Sequence, residues 1–213
     1  EITTRLVGSE MCIRDRFSFK NGDVNTEKYQ EGIYVGYRYF DTFDVPVRYP
    51  FGYGLSYTDF SVSTKGIEAV NTESGKPEIA VTVEVTNTGD TYCGKEVVQI
   101  YVSCPQGKLA KEYRRLAGFA KTEELKPQES CSMTITFPVY QLASFDEEKA
   151  AWILEGGTYG IWVGSSIQDA EPAGSLCLNK DAVLVQCEHI CPLKEELKEL
   201  TCLLYTSPSP RDA

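Results

Sequence analysis

From residue 59 onward, apolar and polar positions alternate along most of the chain. In EIAVTVEVTNTG, Val81, Val83 and Val85 alternate with Thr82, Glu84 and Thr86, a period of two with β-branched residues that predicts a half-buried strand. FSVSTKGIEAV (60–70) reads as the strand before it. Asn87, Gly89 and Asp90 supply a turn. Glu96 to Ser103 then predicts a strand with Val98, Ile100 and Val102 on one face, reached through a hairpin or a corner between sheets. Pro105 to Gln128 is a long polar connection interrupted by the apolar run Leu116 to Ala120, a brief edge strand. Cys131, Met133, Ile135 and Phe137 alternate with Ser132, Thr134 and Thr136 as far as Pro138, the polar face turned to water. After a turn at Asp146-Glu147-Glu148, Trp152 to Leu154 and Thr158 to Gly164 predict a hairpin through Glu155-Gly156-Gly157, with Tyr159, Ile161 and Val163 inward. Ser175 to Gln186 predicts one more strand, and PLKEELKEL (192–200) a short amphipathic helix. Short strands separated by turns indicate an antiparallel β-sandwich. Val81, Val83, Val85, Val98, Ile100, Ile135, Phe137, Tyr159 and Ile161 are expected to share its core.

Upstream the pattern is different. EGIYVGYRYFDTFDVPVRYPFGYGLSY, Glu31 to Tyr57, concentrates Tyr34, Tyr37, Tyr39, Phe40, Phe43, Tyr49, Phe51, Tyr53 and Tyr57. Each brings a large apolar area, and each tyrosine a polar tip that needs a partner when buried. Pro46 and Pro50 fix φ and oppose a helix, so the segment is expected to be packed and irregular. Neither the helical nor the strand period is clean over Glu31 to Phe40. Phe17 to Gln30 reads as a loop with a turn at Asn21-Gly22.

Composition narrows the function classes. The 213 residues are 42% hydrophobic and 24% charged, ordinary for one or two globular domains. A formal net charge of −10 argues against nucleic-acid binding and against anionic membrane surfaces. No apolar run approaches the roughly 18 residues that a membrane-spanning helix needs.

The two blocks EGIYVGYRYFDT and RYPFGYGLSYTDF resemble the end of the α/β sandwich domain of family 3 glycoside hydrolases, the β-glucosidase and β-xylosidase family, where the chain leaves for a fibronectin type III-like domain. GKEVVQIYVSCPQG, LAGFAKTEELKPQES and FDEEKAAWILEGGTYGIWVG are similar to that module. The resemblance covers roughly residues 17 to 200 and implies a mainly β fold. It places the end of the α/β domain at 17–58, the fibronectin type III-like (immunoglobulin-like) sandwich at 59–166, and an extension with one strand and a short helix at 167–201. The ends, 1–16 and 202–213, match nothing in the family. LVGSEMCIRDR and CLLYTSPSPRDA look like translated sequencing-adapter read-through, with disordered tails as the alternative, and the natural N-terminus is expected to lie upstream.

Retaining and inverting glycosidases both use two carboxyl groups flanking the scissile bond. In the resembled family the nucleophile is an aspartate of the (β/α)8 barrel and the acid/base a glutamate well upstream of this stretch in the α/β domain. Neither region is present, so the resemblance assigns no catalytic residue, no cofactor and no metal. It implies an accessory, non-catalytic part, whose partners are the catalytic domains of its parent chain and whose parent acts on β-glucosides or short β-glycans. A free-standing carbohydrate-binding or adhesive β-sandwich is the alternative, and the aromatic stretch tells against it. Glu31, Arg38 and Asp41 remain as matched positions; for Arg38 and Asp41 the choice lies between an internal salt bridge fixing the loop and lining the sugar cleft. Tyr34, Tyr37, Tyr39, Phe40 and Phe51, deprived of the α/β sheet, are expected to be covered only in part.

Other motifs carry less. Gly52-x-Gly54 lacks the third glycine and the preceding strand of a dinucleotide fingerprint. Cys187-Glu188-His189-Ile190-Cys191 lacks the ligand spacing of a zinc site. The eight cysteines fit reduced thiols of a bacterial cytoplasm better than a disulfide framework. Lys108, Lys111, Arg114 and Arg115 form a basic patch, read either as a solvated loop or as a rim contacting substrate or a neighbouring domain.

Overall fold

The computed structural model describes residues 31–190, 197, 199 and 200. They divide into two compact units: Tyr49–Leu109 with Arg114–Cys187, and the described parts of Glu1–Arg48 and Glu188–Ala213 with Ala110–Tyr113.

The larger unit is the sandwich. Its strands are β1 (Phe60–Val70), β2 (Glu78–Asn87), β3 (Val97–Ser103), β4 (Arg115–Lys121), β5 (Ser130–Pro138), β6 (Ser144–Asp146), β7 (Ala151–Leu154), β8 (Gly157–Gly164), β9 (Glu171–Leu178) and β10 (Ala182–Gln186). They form sheets in the orders β1-β2-β5, β4-β3-β8-β9 and β10-β7-β6, every pairing antiparallel. Register follows the alternation: Val81 lies opposite Ile135, Val83 opposite Met133 and Val85 opposite Cys131. Directly opposed residues share a face. That face meets Val98, Ile100 and Val102 of β3 and Tyr159, Ile161 and Val163 of β8 in one core, which holds all nine residues expected there. Burying each aliphatic side chain contributes about 1.5–3 kcal/mol. On the outer face the Thr82 and Thr134 hydroxyls hydrogen-bond at 3.0 Å.

Of the two connections expected between β2 and β3, the chain makes the corner between sheets. Asn87, fully buried, builds it. Its amide donates to the carbonyls of Tyr92 (2.9 Å) and Leu125 (3.0 Å), and its Oδ1 accepts from the Gly89 N–H (3.1 Å) and the Thr58 hydroxyl (2.5 Å). The amide's four hydrogen-bonding positions are thereby used.

Two sequence expectations fail here. Trp152 to Leu154 and Thr158 to Gly164 do not pair: β7 lies between β6 and β10, while β8 lies between β3 and β9. Glu155 accepts the backbone N–H groups of Lys108 (2.7 Å) and Leu109 (3.2 Å), and Gly157 turns at φ +145, so this short link crosses between sheets instead of closing a hairpin. Ser175 to Gln186 is likewise not one strand. It breaks at Asn179-Lys180-Asp181 into β9 and β10 of different sheets, where Asp181 accepts the Gly156 N–H at 2.8 Å. The run at Leu116 to Ala120 does become an edge strand, β4.

The smaller unit contains helix α1 (Tyr37–Thr42). Tyr34 and Tyr39, 1% and 4% exposed, are buried with Leu200 against Ile33, Phe40, Phe43 and Val45. Partial cover was expected for them. The helical turn instead brings Tyr39 against Phe43, tilted at 4.9 Å, and Tyr34 meets Phe43 edge-on at 5.2 Å, so the segment builds a cluster of its own. The helix expected over Pro192 to Leu200 lies largely outside the described residues.

Candidate functional site

The segment Tyr49 to Tyr57 is the most exposed apolar stretch of the sandwich unit. Leu55 is 90% and Tyr57 91% exposed, and Tyr49, Phe51 and Tyr53 are exposed as well. From Pro50 to Tyr53 its backbone is nonetheless fixed. Tyr53 N–H donates to the Pro50 carbonyl at 3.0 Å, and Gly52 takes φ +83, a turn that requires a positive φ at its third position and therefore favours glycine there. Gln99, buried on β3, donates through Nε2 to the Gly52 carbonyl (3.3 Å) and to the Ser165 carbonyl, and its Oε1 accepts from the Tyr101 hydroxyl (2.5 Å). Ile167 N–H donates to the Phe51 carbonyl at 3.0 Å. A Cβ on Gly52 would run into the Gln99 amide. The ring pairs Tyr49–Tyr53, 5.2 Å, and Tyr57–Tyr92, 6.0 Å, complete the strip.

The basic patch is not a solvated loop throughout. Lys108 is exposed, but Lys111 and Arg114 are 2% and 7% exposed. In the sandwich unit Arg114 lies over the Trp162 ring, 5.1 Å from its centroid, and Arg115 donates to the Gln141 and Ala143 carbonyls at 3.1 and 2.9 Å. Burying a guanidinium against an aromatic face or backbone carbonyls replaces the water it loses. In the smaller unit Arg38 Nε stands 3.6 Å from the buried Glu112 carboxylate. Thr42 Oγ1 there accepts the Tyr113 N–H at 2.9 Å, and the Tyr34 hydroxyl reaches the Lys111 carbonyl at 3.5 Å. Arg38 is thus engaged in an internal ion pair, and Asp41 is half-buried on the same helix.

Among carboxylates with displaced pKa values, burial pushes Glu96 up, its bond from Val97 N–H opposing. The Lys149 N–H draws Asp146 down. Both are bound into the fold locally: Glu96 accepts from Val97 at 2.7 Å and Asp146 from Lys149 at 3.1 Å.

Residues 96–167 match the family model described as a fibronectin type III-like domain. The chain is 39% identical over 198 residues to a β-glucosidase of Ruminococcus albus, covering 88% of this chain and 20% of that protein. It is 46% identical over 160 residues to β-glucosidase A of Butyrivibrio fibrisolvens, covering 66% and 19%. The crystal structure of a β-glucosidase from Paenibacillus barengoltzii superposes with a TM-score of 0.74 at 41% identity, covering 79% of this chain and 19% of that one. The chain belongs to the family 3 glycoside hydrolases. It spans about a fifth of the length of the relatives it matches, and its sandwich is a fibronectin type III-like accessory domain of that family.

In this piece of a family 3 glycoside hydrolase the residues that organise the surface are Gln99, Tyr101 and Arg114. Strand alternation hides them: Val98, Ile100 and Val102 mark one face of β3 as core, which by period two leaves Gln99 and Tyr101 as a solvated face. Both are buried, at 5% and 0%. The available signal was the near-continuous apolar run Val97 to Val102, interrupted only by Gln99, the pattern of a strand covered on both faces.

Proposed function

We propose that the parent of this chain is a retaining β-glucosidase-type hydrolase acting on β-linked glucosides or short β-glycans, with both catalytic carboxylates outside the chain. The sandwich serves it as a rigid flank. The strip from Tyr49 to Tyr57 is the face on which the parent's catalytic domains rest. The observation that carries this reading is exposed aromatic area on an immobilised backbone. An apolar surface held in one conformation by Gln99 and Ile167 is prepared to bind without further ordering cost, and large exposed apolar patches mark interaction sites.

A chimera tests it. Residues 31–187 replace the matching segment of the Ruminococcus albus β-glucosidase, and aryl β-glucoside hydrolysis and Tm are followed. The chimera is expected to hydrolyse while the purified chain alone does not. Leu55→Asp is expected to lower the Tm of the chimera and to leave that of the isolated chain within about 1 °C, as for surface changes away from packed features. Turnover by the isolated chain, or a chimera indifferent to Leu55→Asp, overturns the proposal.

A further inference from the structure

A second aromatic surface lies on the three-stranded sheet. Phe145 of β6, Trp152 of β7 and Val185 of β10 are directly opposed across neighbouring strands and so project from one face. Trp152 is the centre of a row of three rings: Phe145 meets it edge-on at 5.4 Å, and the Tyr140 ring lies tilted to it at 5.9 Å. Trp152 is half-buried and packs partly against the core, whereas Tyr140 is 47%, Phe145 39% and Val185 42% exposed.

The row is held from behind. Arg115 binds the Gln141 and Ala143 carbonyls on either side of Leu142 and so fixes the 3-10 turn that carries Tyr140. Gln186 Nε2 donates to the Lys149 carbonyl at 2.7 Å, and Cys187 N–H to the Ala150 carbonyl at 2.7 Å, tying the loop between β6 and β7 to β10. The surrounding residues are polar: Gln141, Glu147, Glu148 and Lys149 are exposed, and Lys149 pairs with Asp146 at 3.3 Å.

We infer that this row is a binding surface for β-linked gluco-oligosaccharides, an inference that rests on the glycosidase reading above. A β-glucosyl ring carries C–H bonds on both flat faces and hydroxyls around its edge. It therefore matches aromatic side chains that offer apolar area beside polar neighbours, the usual composition of small-ligand sites. Fixed rings add little ordering cost on binding. The carboxylates of Asp146, Glu147 and Glu148 disfavour an anionic ligand such as a nucleic acid. The surface would hold glucan beside the catalytic domains and would not itself react.

Isothermal titration of the full chain with cellotetraose and laminaritetraose tests the inference, with no catalytic readout involved. Binding is expected with Kd on the order of 1 mM for at least one of them. Tyr140→Ala and Phe145→Ala, both at exposed positions, are each expected to weaken it roughly fivefold or more, with Tm held within about 2 °C. Absence of heat with both sugars overturns the inference, as does binding that both variants leave unchanged. A third result also overturns it: in the chimera, either variant lowers Tm well beyond its effect on the isolated chain, which would make this face a contact between domains. A hydrolysing chimera with no sugar binding by the chain refutes this inference alone and leaves the proposed function standing.

Discussion

Replacing Asn87 by alanine removes the four side-chain hydrogen bonds that make the corner between β2 and β3. Their loss is unequal. The Tyr92 carbonyl belongs to an exposed residue, and Gly89 is half-buried, so water replaces the amide there at little cost. The Leu125 carbonyl keeps the Gly94 N–H at 3.0 Å, whereas the hydroxyl of Thr58, a residue 8% exposed, is left without the partner it had. Each buried group orphaned in this way costs about 1–3 kcal/mol. Together with the void left by a side chain of 0% exposure, the expected loss is about 2–4 kcal/mol. That is a large part of the roughly 5–15 kcal/mol that holds a domain of this kind together. Equilibrium unfolding in urea measures it, with the m-value checking that the change lies in stability and not in the compactness of the unfolded chain. A loss below about 1 kcal/mol at unchanged m would refute the reasoning and show that the corner is held by its backbone bonds, those of Asn87 to Gln128 and Glu129 and of Gly94 to Leu125.

Further expectations concern the core, the clamped strip and pH. Ile135→Asp places a carboxyl opposite Val81 in the apolar core and is expected to cost more than about 3 kcal/mol or to prevent folding, read as loss of the cooperative thermal transition. Gly52→Ala is expected to cost about 1–3 kcal/mol, since its φ of +83 is strained for alanine and its Cβ meets Gln99; faster amide exchange across residues 49–57 is the accompanying sign. Burial, with the charges of Cys104 and Glu155, pushes the Tyr159 phenol from 10.0 up to about 12. Its folded pKa exceeds the unfolded one, so the folded chain holds more protons and stability falls as pH rises from 10 to 12, by at most about 3 kcal/mol. Urea midpoints across that interval are expected to flatten in Tyr159→Phe. Asp146 titrates the other way: its lowered folded pKa gives stability that is present above the ordinary value of 3.8 and lost as pH falls below it, a dependence that Asp146→Asn removes.

Strand positions and the sandwich core were legible in the sequence because β2, β3, β5 and β8 each carry branched or aromatic residues at period two, and period two admits only one choice of inward face. The family followed from two aromatic blocks whose residues are contiguous in the chain. What the sequence left open depended on contacts between distant segments. Glu155 reaches back to the N–H groups of Lys108 and Leu109, 47 and 46 residues away, and this diverts β7 and β8 into separate sheets although only Glu155 and Gly156 lie between them. Gln99 looks like the solvated side of a strand until Gly52 and Ser165, 47 and 66 residues distant, come to lie on it. The burial of Lys111 and Arg114 was equally out of reach, since a charged side chain is buried only where partners replace its water. For Arg114 the Trp162 ring is brought to it by β8. Local alternation is written in neighbouring residues; which polar side chains the fold covers is decided by what packs over them.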